Sequence, residues 1–563
     1  MFGDTVRQKQ PRGADATSAV PFPVCLTIIV AFFALGAALR FYGLSARDFW
    51  FDESCTFTYV HNLFTWPANS NLLVETTNLP YYVILRGWTG WFGPSEAAYR
   101  SLSAVAATLT VPVLAIAAAR IRNRLTGLVC AALAALHPLH IYYAHEARAY
   151  AVWVLLLALL LWLLIEAARS NLWRWWAAFG TALLAALLTH YFTAYFAAGS
   201  VAAVVLSRDR HATLRRWSAT MAVAAIAFAP YFCFAVLPAA KGGGSVWIDP
   251  TFRPLTAIPH TLWAFMPAGS YPSHLRGLSL ASPDTVIRQP TSLVVASQVV
   301  PAVLIAAVGF VVLRRRFQSP SRHAATGVGR SHLFLGALTL GPLLLAVAYS
   351  IFIRPVYLAG RYDMVAWPAS IVWLSVTLAD FAADQEGSPR WRRLAAVMAP
   401  LLALSLVPIH RIVSFAPPAS FHRVRAERLA ELAAPGDFVI ALAYDRDYLG
   451  YYLNRAKFQG EIRSFPSWLE QQVGWVDTAA DLRRLPEAQG DARKIASEAQ
   501  RRLLAGNRVL LLADSTDPKG EGARRPIHAE LLETFLERGL SVRSADASTL
   551  IHDIASARPI DPS

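Results

Sequence analysis

Two adjacent carboxylates, Asp52 and Glu53, stand among aromatic residues in the stretch FWFDESCTFTY, just after the first long apolar run. Other chemistry-bearing residues fall in similar places. The segment HPLHIYYAHEARAY carries His137, His140, Tyr142, Tyr143, His145, Glu146, Arg148 and Tyr150. THYFTAY carries His190 and Tyr191, KGGGSVWIDP carries Lys241, Trp247 and Asp249, and IRPVYLAGRYDM carries Arg354, Tyr357, Arg361, Tyr362 and Asp363. Glu75, Asn78 and Arg100 accompany Asp52 in its loop. All lie at the ends of apolar runs, and the topology derived below puts them on one face of a membrane. Acids, histidines, tyrosines and arginines gathered there suit a substrate with a lipid tail and an anionic head.

The elements that must position them are membrane spans. Of 563 residues, 55% are hydrophobic and 16% charged, with mean hydropathy +0.38. Soluble domains carry about 25% charged residues, so the composition describes a polytopic membrane protein. A span needs about 20 apolar residues. Eleven candidates stand near 21–40, 102–119, 125–142, 150–166, 175–190, 192–206, 217–237, 292–313, 333–353, 364–381 and 394–412. The first lacks a small-residue cleavage signature and reads as a retained span rather than a signal peptide.

The net charge of +15 could suggest nucleic acid, but the arginines cluster in short loops between apolar runs. With the N-terminus in the cytoplasm, the cytoplasmic segments hold 20 Lys and Arg, and the longer opposite loops before residue 412 hold 10. That bias obeys the positive-inside rule. An odd number of spans then puts the C-terminus outside. The expected organisation is a cytoplasmic segment 1–20, a transmembrane domain 21–413 with outside loops at 41–101 and 238–290, and an extracytoplasmic domain 414–563. In that last segment DFVIALA and RVLLLAD read as strands, while ARKIASEAQRRLLAG and HAELLETFLERG read as helices. The alternation predicts a small α/β domain with some parallel sheet.

No Asp, Glu, Lys or Arg sits in the middle of a span. Intramembrane charge usually marks an ion or proton path, so a proton-coupled transporter is disfavoured. Cys25, Cys55, Cys130 and Cys233 have no CxxC spacing, and neither a disulfide framework nor a zinc site is expected.

The polar residues also have structural uses. Asp52 and Glu53 suit the first turn of an interfacial helix. Tyr and Trp at span ends form interfacial belts. His190 could be a hydrogen-bonded interface residue, Arg361 a loop charge, and Arg354 a snorkelling one. Glu146 and Arg148 are two apart, so they would not face each other on a helix.

Five stretches in order carry a resemblance: LRFYGLSARDFWFDES, NLPYYVILRGWTGWFGPSEAAYRSLSA, HPLHIYYAHEARAYA, LTHYFTAYF and YLAGRYDMVAWP. Over roughly residues 30–380 the chain resembles the C-type (GT-C) glycosyltransferases that use polyprenyl-phosphate sugars, above all family 39 members. These are related to protein O-mannosyltransferases and the lipid A aminoarabinose transferase. The resemblance implies a GT-C polytopic helical fold of about 11 spans. It makes Asp52 the catalytic acid of the first outside loop, Glu146 and Arg148 the pair of the second motif, and Arg361 and Tyr362 the pair of the late loop. Asn78, Leu79 and Pro80 stand where the family often has paired prolines, and His145 where it often has Gln.

The implied reaction is inverting transfer of a sugar from a polyprenyl-phosphate carrier to a hydroxyl of a glycan, lipid or protein, at the outer face of a bacterial cytoplasmic membrane. Such transfer needs a base for the acceptor proton and positive charge for the departing phosphate. Asp52 is the expected base, with Glu53 beside it raising its pKa. Arg361 and Arg148 would hold the phosphate. Glu146, Tyr150, His190, Trp247 and Tyr362 would contact sugar or acceptor. No cofactor is specified. Acids and histidines in the same loops leave room for a divalent cation, but no metal ligand is assigned. Membrane lipids are the other partners. The alternative is a flippase for a lipid-linked sugar, which would bind the same headgroup without chemistry.

Overall fold

The computed structural model describes residues 21–63, 78–207, 209–238, 252–267, 291–318, 328–383, 390–413, 421–442, 445–470, 484–512, 525–546 and 548–556. Lys241, Trp247, Asp249 and Glu75 lie outside the described residues. By their contacts the described residues form two units. One comprises 21–44, 78–238 and 252–413; the other comprises 45–63 and the segments from 421 to 556.

The first unit is a multi-pass helical bundle. Among the described residues, eight helices are long and apolar enough to cross a membrane: Pro23–Phe41, Glu96–Ile121, Tyr150–Ser170, Arg210–Val236, Val295–Arg314, Gly329–Phe352, Tyr362–Ala383 and Arg390–His410. A ninth span arises if Arg124–Ala135 and Pro138–Ala144, bent by 57°, are counted as one. The expected spans 175–190 and 192–206 instead form a 17-residue helix, Trp173–Thr189, and the short helices Thr193–Gly199 and Ala202–Val205. The first is one continuous helix at the short limit of a span, and only 192–206 is split by turns.

Local chemistry sets the helix ends. Ser95 starts Glu96–Ile121 by accepting from the Ala98 N–H, and Asn123 starts Arg124–Ala135 by accepting from Thr126. Pro138 occupies the first turn of Pro138–Ala144, where its missing N–H costs nothing. The helices Glu96–Ile121 and Arg124–Ala135 pack closely: a Cβ on Gly127 would stand 2.7 Å from the Ala115 carbonyl oxygen. Trp153, Trp176 and Trp367 are fully buried in the core.

Arg40, at the end of the first span, is also fully buried. Its guanidinium donates to the carbonyls of Gly36, Ala134 and Ala135 at 2.9 Å each and to His140 Nδ1 at 3.0 Å. Ala134 and Ala135 end the helix Arg124–Ala135, so Arg40 satisfies carbonyls that have no partner within the helix.

The second unit carries a five-stranded sheet, β1 Phe438–Leu442, β2 Glu461–Phe465, β3 Val509–Leu512, β4 Leu540–Asp546 and β5 Ile551–Ser556. The order is β2-β1-β3-β5-β4, with β1 parallel to β2 and β3, and β5 antiparallel to β3 and β4. The expected α/β domain with parallel pairing is therefore present. Asp445–Arg455 and Leu485–Leu504 are its crossovers, and Ile495, Ala496, Leu531 and Phe535 close its core.

Candidate functional site

Asp52 and Glu53 open the helix Phe51–Asn62, which packs on Asp445–Arg455 within the second unit. Phe49 begins this docking. Its N–H donates to the Tyr452 hydroxyl at 2.8 Å, and its ring lies 4.7 Å from that of Tyr451. The Arg423 N–H donates to Asp48 at 3.0 Å, and Phe57 meets the Tyr451 ring edge-on at 5.1 Å. Both acids are buried, Asp52 at 8% exposure and Glu53 at 0%. Glu53 reaches back to the Trp50 N–H at 3.4 Å, the helix-opening geometry that acids favour. Asp52 lies in the same first turn, where the helix N-terminus favours negative charge.

The remaining described site residues belong to the first unit, at helix ends. Glu146 and Arg148 lie in the turn between Pro138–Ala144 and Tyr150–Ser170. The Ser103 hydroxyl donates to the Arg148 carbonyl at 3.3 Å, tying this turn to Glu96–Ile121. Arg148 is buried and donates toward the Tyr82 hydroxyl at 3.5 Å; Glu146 is buried at 1% exposure.

Tyr150, His190, Arg361 and Tyr362 form one cluster. Arg361 Nε donates to the Tyr150 hydroxyl at 2.5 Å, and its guanidinium stands 5.3 Å from the Tyr150 ring and 5.7 Å from the Tyr362 ring. Aromatic faces attract a cation in this geometry. His190 stacks on Trp153 at 4.1 Å and lies 5.4 Å from Tyr362. Trp153 is held in turn by its indole N–H, which donates to Thr193 at 2.8 Å.

Arg361 sits in a tight turn. Gly360 before it has φ +76°, a left-handed conformation that glycine adopts without strain. The Gly360 N–H donates to Asp363 Oδ2 at 2.8 Å, its carbonyl accepts from the Tyr143 hydroxyl, and the Ser350 hydroxyl oxygen accepts the N–H groups of Val356 and Tyr357 at 3.1 and 3.0 Å. Thr261, on the helix Pro254–Ala264, donates to Asp363 and meets the Tyr357 hydroxyl. Burial pushes the Tyr357 hydroxyl well above the usual phenol range, the Asp363 carboxylate adds to this, and Thr261 opposes it.

Sequence reasoning singled out Arg361 and its aromatic partners but not Tyr82 or Thr261. Tyr82 stands within the expected outside loop 41–101, in one of the stretches that carry the resemblance but with no role of its own, and Thr261 carries no sequence signal at all. Among the described residues, no three His, Cys, Asp or Glu side chains gather in a way that could hold a metal ion.

Residues 79–234 match the profile of the family described as dolichyl-phosphate-mannose-protein mannosyltransferase. The match holds Tyr82, Glu146, Arg148, Tyr150 and His190 and stops short of Asp52 and Arg361. Among solved structures, the chain is similar to ArnT from Cupriavidus metallidurans bound to undecaprenyl phosphate. The TM-score is 0.51 at 14% identity, with 94% of this chain and 98% of that one covered. The fold is of the GT-C type. A second similar structure, the archaeal oligosaccharyltransferase AglB from Archaeoglobus fulgidus with an inhibitory peptide and a dolichol-phosphate, has a TM-score of 0.46 at 13% identity, covering 96% of this chain and 75% of that one. Comparison with curated proteins gives no match. The arginine–tyrosine cluster stands at the ends of membrane helices, with Tyr150 and His190 inside the matched segment and Arg361 and Tyr362 outside it.

Proposed function

We propose that this chain is an inverting glycosyltransferase that moves a sugar from a polyprenyl-phosphate carrier to an acceptor hydroxyl on a glycan, lipid or protein. The observation that carries the reading is the pair of buried arginines, Arg148 and Arg361, each facing a tyrosine hydroxyl, Tyr82 and Tyr150. Buried guanidiniums that present several fixed donors suit a phosphate ester. Apolar helix faces beside them suit the lipid that carries it. The likeness in fold to a protein captured with undecaprenyl phosphate makes that lipid the first carrier to try.

In this reading Arg361, with Arg148, neutralises the phosphate as it departs from the anomeric carbon. Asp52 takes the proton of the acceptor hydroxyl, and Glu53 holds the turn that presents it. Attack opposite the phosphate inverts the anomeric centre. Glu146, Tyr150, His190 and Tyr362 orient the sugar, with Trp247 a further ring for stacking. A lipid phosphate leaves readily, so no separate general acid is required, in contrast with glycoside hydrolysis. The reaction belongs to the outer face of a bacterial cytoplasmic membrane, with the C-terminal domain on that side, as the distribution of Lys and Arg implies.

The test is transfer from a panel of radiolabelled polyprenyl-phosphate sugars to a crude envelope acceptor by purified wild-type and Asp52→Asn protein. Transfer by wild type alone supports both reaction and base. Full transfer by correctly folded Asp52→Asn overturns the base. Saturable binding of one donor with no transfer replaces the reading with a lipid-linked-sugar flippase.

A further inference from the structure

The turn that presents Arg361 is fastened to a helix far from it in sequence. We infer that Thr261 and Asp363 are positioning residues that hold the Arg361 turn against the helix Pro254–Ala264, so that the geometry of the lipid-phosphate site depends on the seating of that helix. The inference rests on the donor assignment above for its ligand, but its mechanical part does not.

The bonds run in one direction. Asp363 Oδ2 is the acceptor in both of its bonds. It receives the Gly360 N–H at 2.8 Å and the Thr261 hydroxyl. Thr261 has one proton and has given it to Asp363, so the Tyr357 hydroxyl, which stays protonated, donates to the Thr261 oxygen. Tyr357, Gly360 and Asp363 are three points of the loop that presents Arg361, and all three meet at Thr261 or at the carboxylate it binds. Thr261 is fully buried and Asp363 is 2% exposed. One turn further on, the C-terminal end of the same helix is held as well, since the Phe265 carbonyl lies 3.1 Å from His137 Nε2. Pro254–Ala264 is thus pinned between the histidine that precedes Pro138 and the turn that carries Arg361. Asp363 and Thr261 do not touch the proposed ligand; they act through Arg361.

The test uses the full-length purified protein and four forms: wild type, Thr261→Val, Thr261→Ser and Thr110→Val. Thr110 is an equally buried threonine whose hydroxyl bonds the Ala106 carbonyl of its own helix, and it controls for loss of a buried hydroxyl. Two readouts are taken: amide hydrogen exchange of the 354–366 peptide, and binding of undecaprenyl phosphate. Thr261→Val is expected to speed exchange at Gly360 and Arg361 and to weaken lipid-phosphate binding by about tenfold, the scale of one lost buried hydrogen bond. Thr261→Ser, which keeps the hydroxyl, restores both, and Thr110→Val changes neither. Unchanged exchange in Thr261→Val, or equal loss in Thr261→Ser, overturns the latch whatever the ligand. Faster exchange in Thr261→Val, with no undecaprenyl phosphate binding by wild type, supports the latch and overturns the donor assignment instead.

Discussion

The Phe49 N–H donates to the Tyr452 hydroxyl at 2.8 Å across 403 residues of sequence, and both side chains are buried. This bond joins the residues just before Asp52 to the first crossover helix of the α/β sheet. The acid-bearing helix is therefore built on the C-terminal segment of the chain rather than standing as a lone loop. Tyr452→Phe leaves a buried backbone N–H without its acceptor, which costs about 1–3 kcal/mol. Chemical unfolding of the full chain, followed at the C-terminal unit by pulse proteolysis, is expected to show that loss. If Tyr452→Phe unfolds at the wild-type urea concentration, the bond contributes nothing net.

Arg40 offers a sharper case, because it is a fully buried cation in a span. Replacing it with Met keeps the volume but strips the Ala134 and Ala135 carbonyls and His140 of a donor. Each orphaned buried group costs about 1–3 kcal/mol, so the variant is expected to lose about 3 kcal/mol or more. Arg40→Lys rescues only in part, since an ammonium cannot reproduce the planar fork. Thermal unfolding in detergent measures both. A wild-type midpoint for Arg40→Met would show that the carbonyls found other donors.

Acid should weaken the α/β unit in a defined direction. Hydrogen bonds from Arg484 hold Glu487, and those from Arg502 hold Glu498, below the usual carboxylate range. Hydrogen bonds from Ser548, with help from Arg428, do the same for Asp546. A carboxylate whose folded pKa lies below its unfolded value stabilises the fold above the unfolded pKa, and this stabilisation is lost as pH falls through the folded one. The unit is expected to keep its stability from neutral pH to about pH 5 and to lose part of it below about pH 4. Pulse proteolysis across that range checks the trend, and Asp546→Asn should flatten it. A unit that gained stability on acidification would contradict the assignment.

Much of this fold was legible in the sequence, and the reasons are physical. Apolar runs and loop arginines announce a multi-pass bundle because the bilayer imposes length and sidedness. DFVIALA and RVLLLAD announced β1 and β3 because both strands are buried throughout. β2, β4 and β5 escaped notice, β2 and β4 because they carry exposed charges such as Arg463 and Arg543, and β5 because His552 and Asp553 interrupt its apolar run. At the site, Tyr150, His190 and the pair Arg361–Tyr362 stand in three separate motifs, and the structure brings them together. What could not be read was the partner of each motif. Nothing in FWFDES names Tyr452, and nothing in GRYD names Thr261, because such contacts depend on how distant helices pack rather than on local pattern.

Arg361 is the residue on which the proposed chemistry turns most directly, and it separates charge from geometry. Lys at this position keeps the positive charge but loses the fork that reaches the Tyr150 hydroxyl while still facing a phosphate. If phosphate charge is stabilised mainly as the carbon–oxygen bond breaks, Arg361→Lys is expected to lower kcat by about 10²-fold, as removal of a single preorganised donor does elsewhere. Its effect on KM should be smaller, since ground-state binding is shared with Arg148 and the lipid tail. Tyr150→Phe, which removes the hydroxyl but keeps the ring under the guanidinium, should fall between wild type and Arg361→Lys. Steady-state transfer kinetics with the donor found in the panel experiment decide the matter. A variant that raises KM alone and leaves kcat intact would make Arg361 an anchor for the bound carrier and would move the leaving-group role to Arg148.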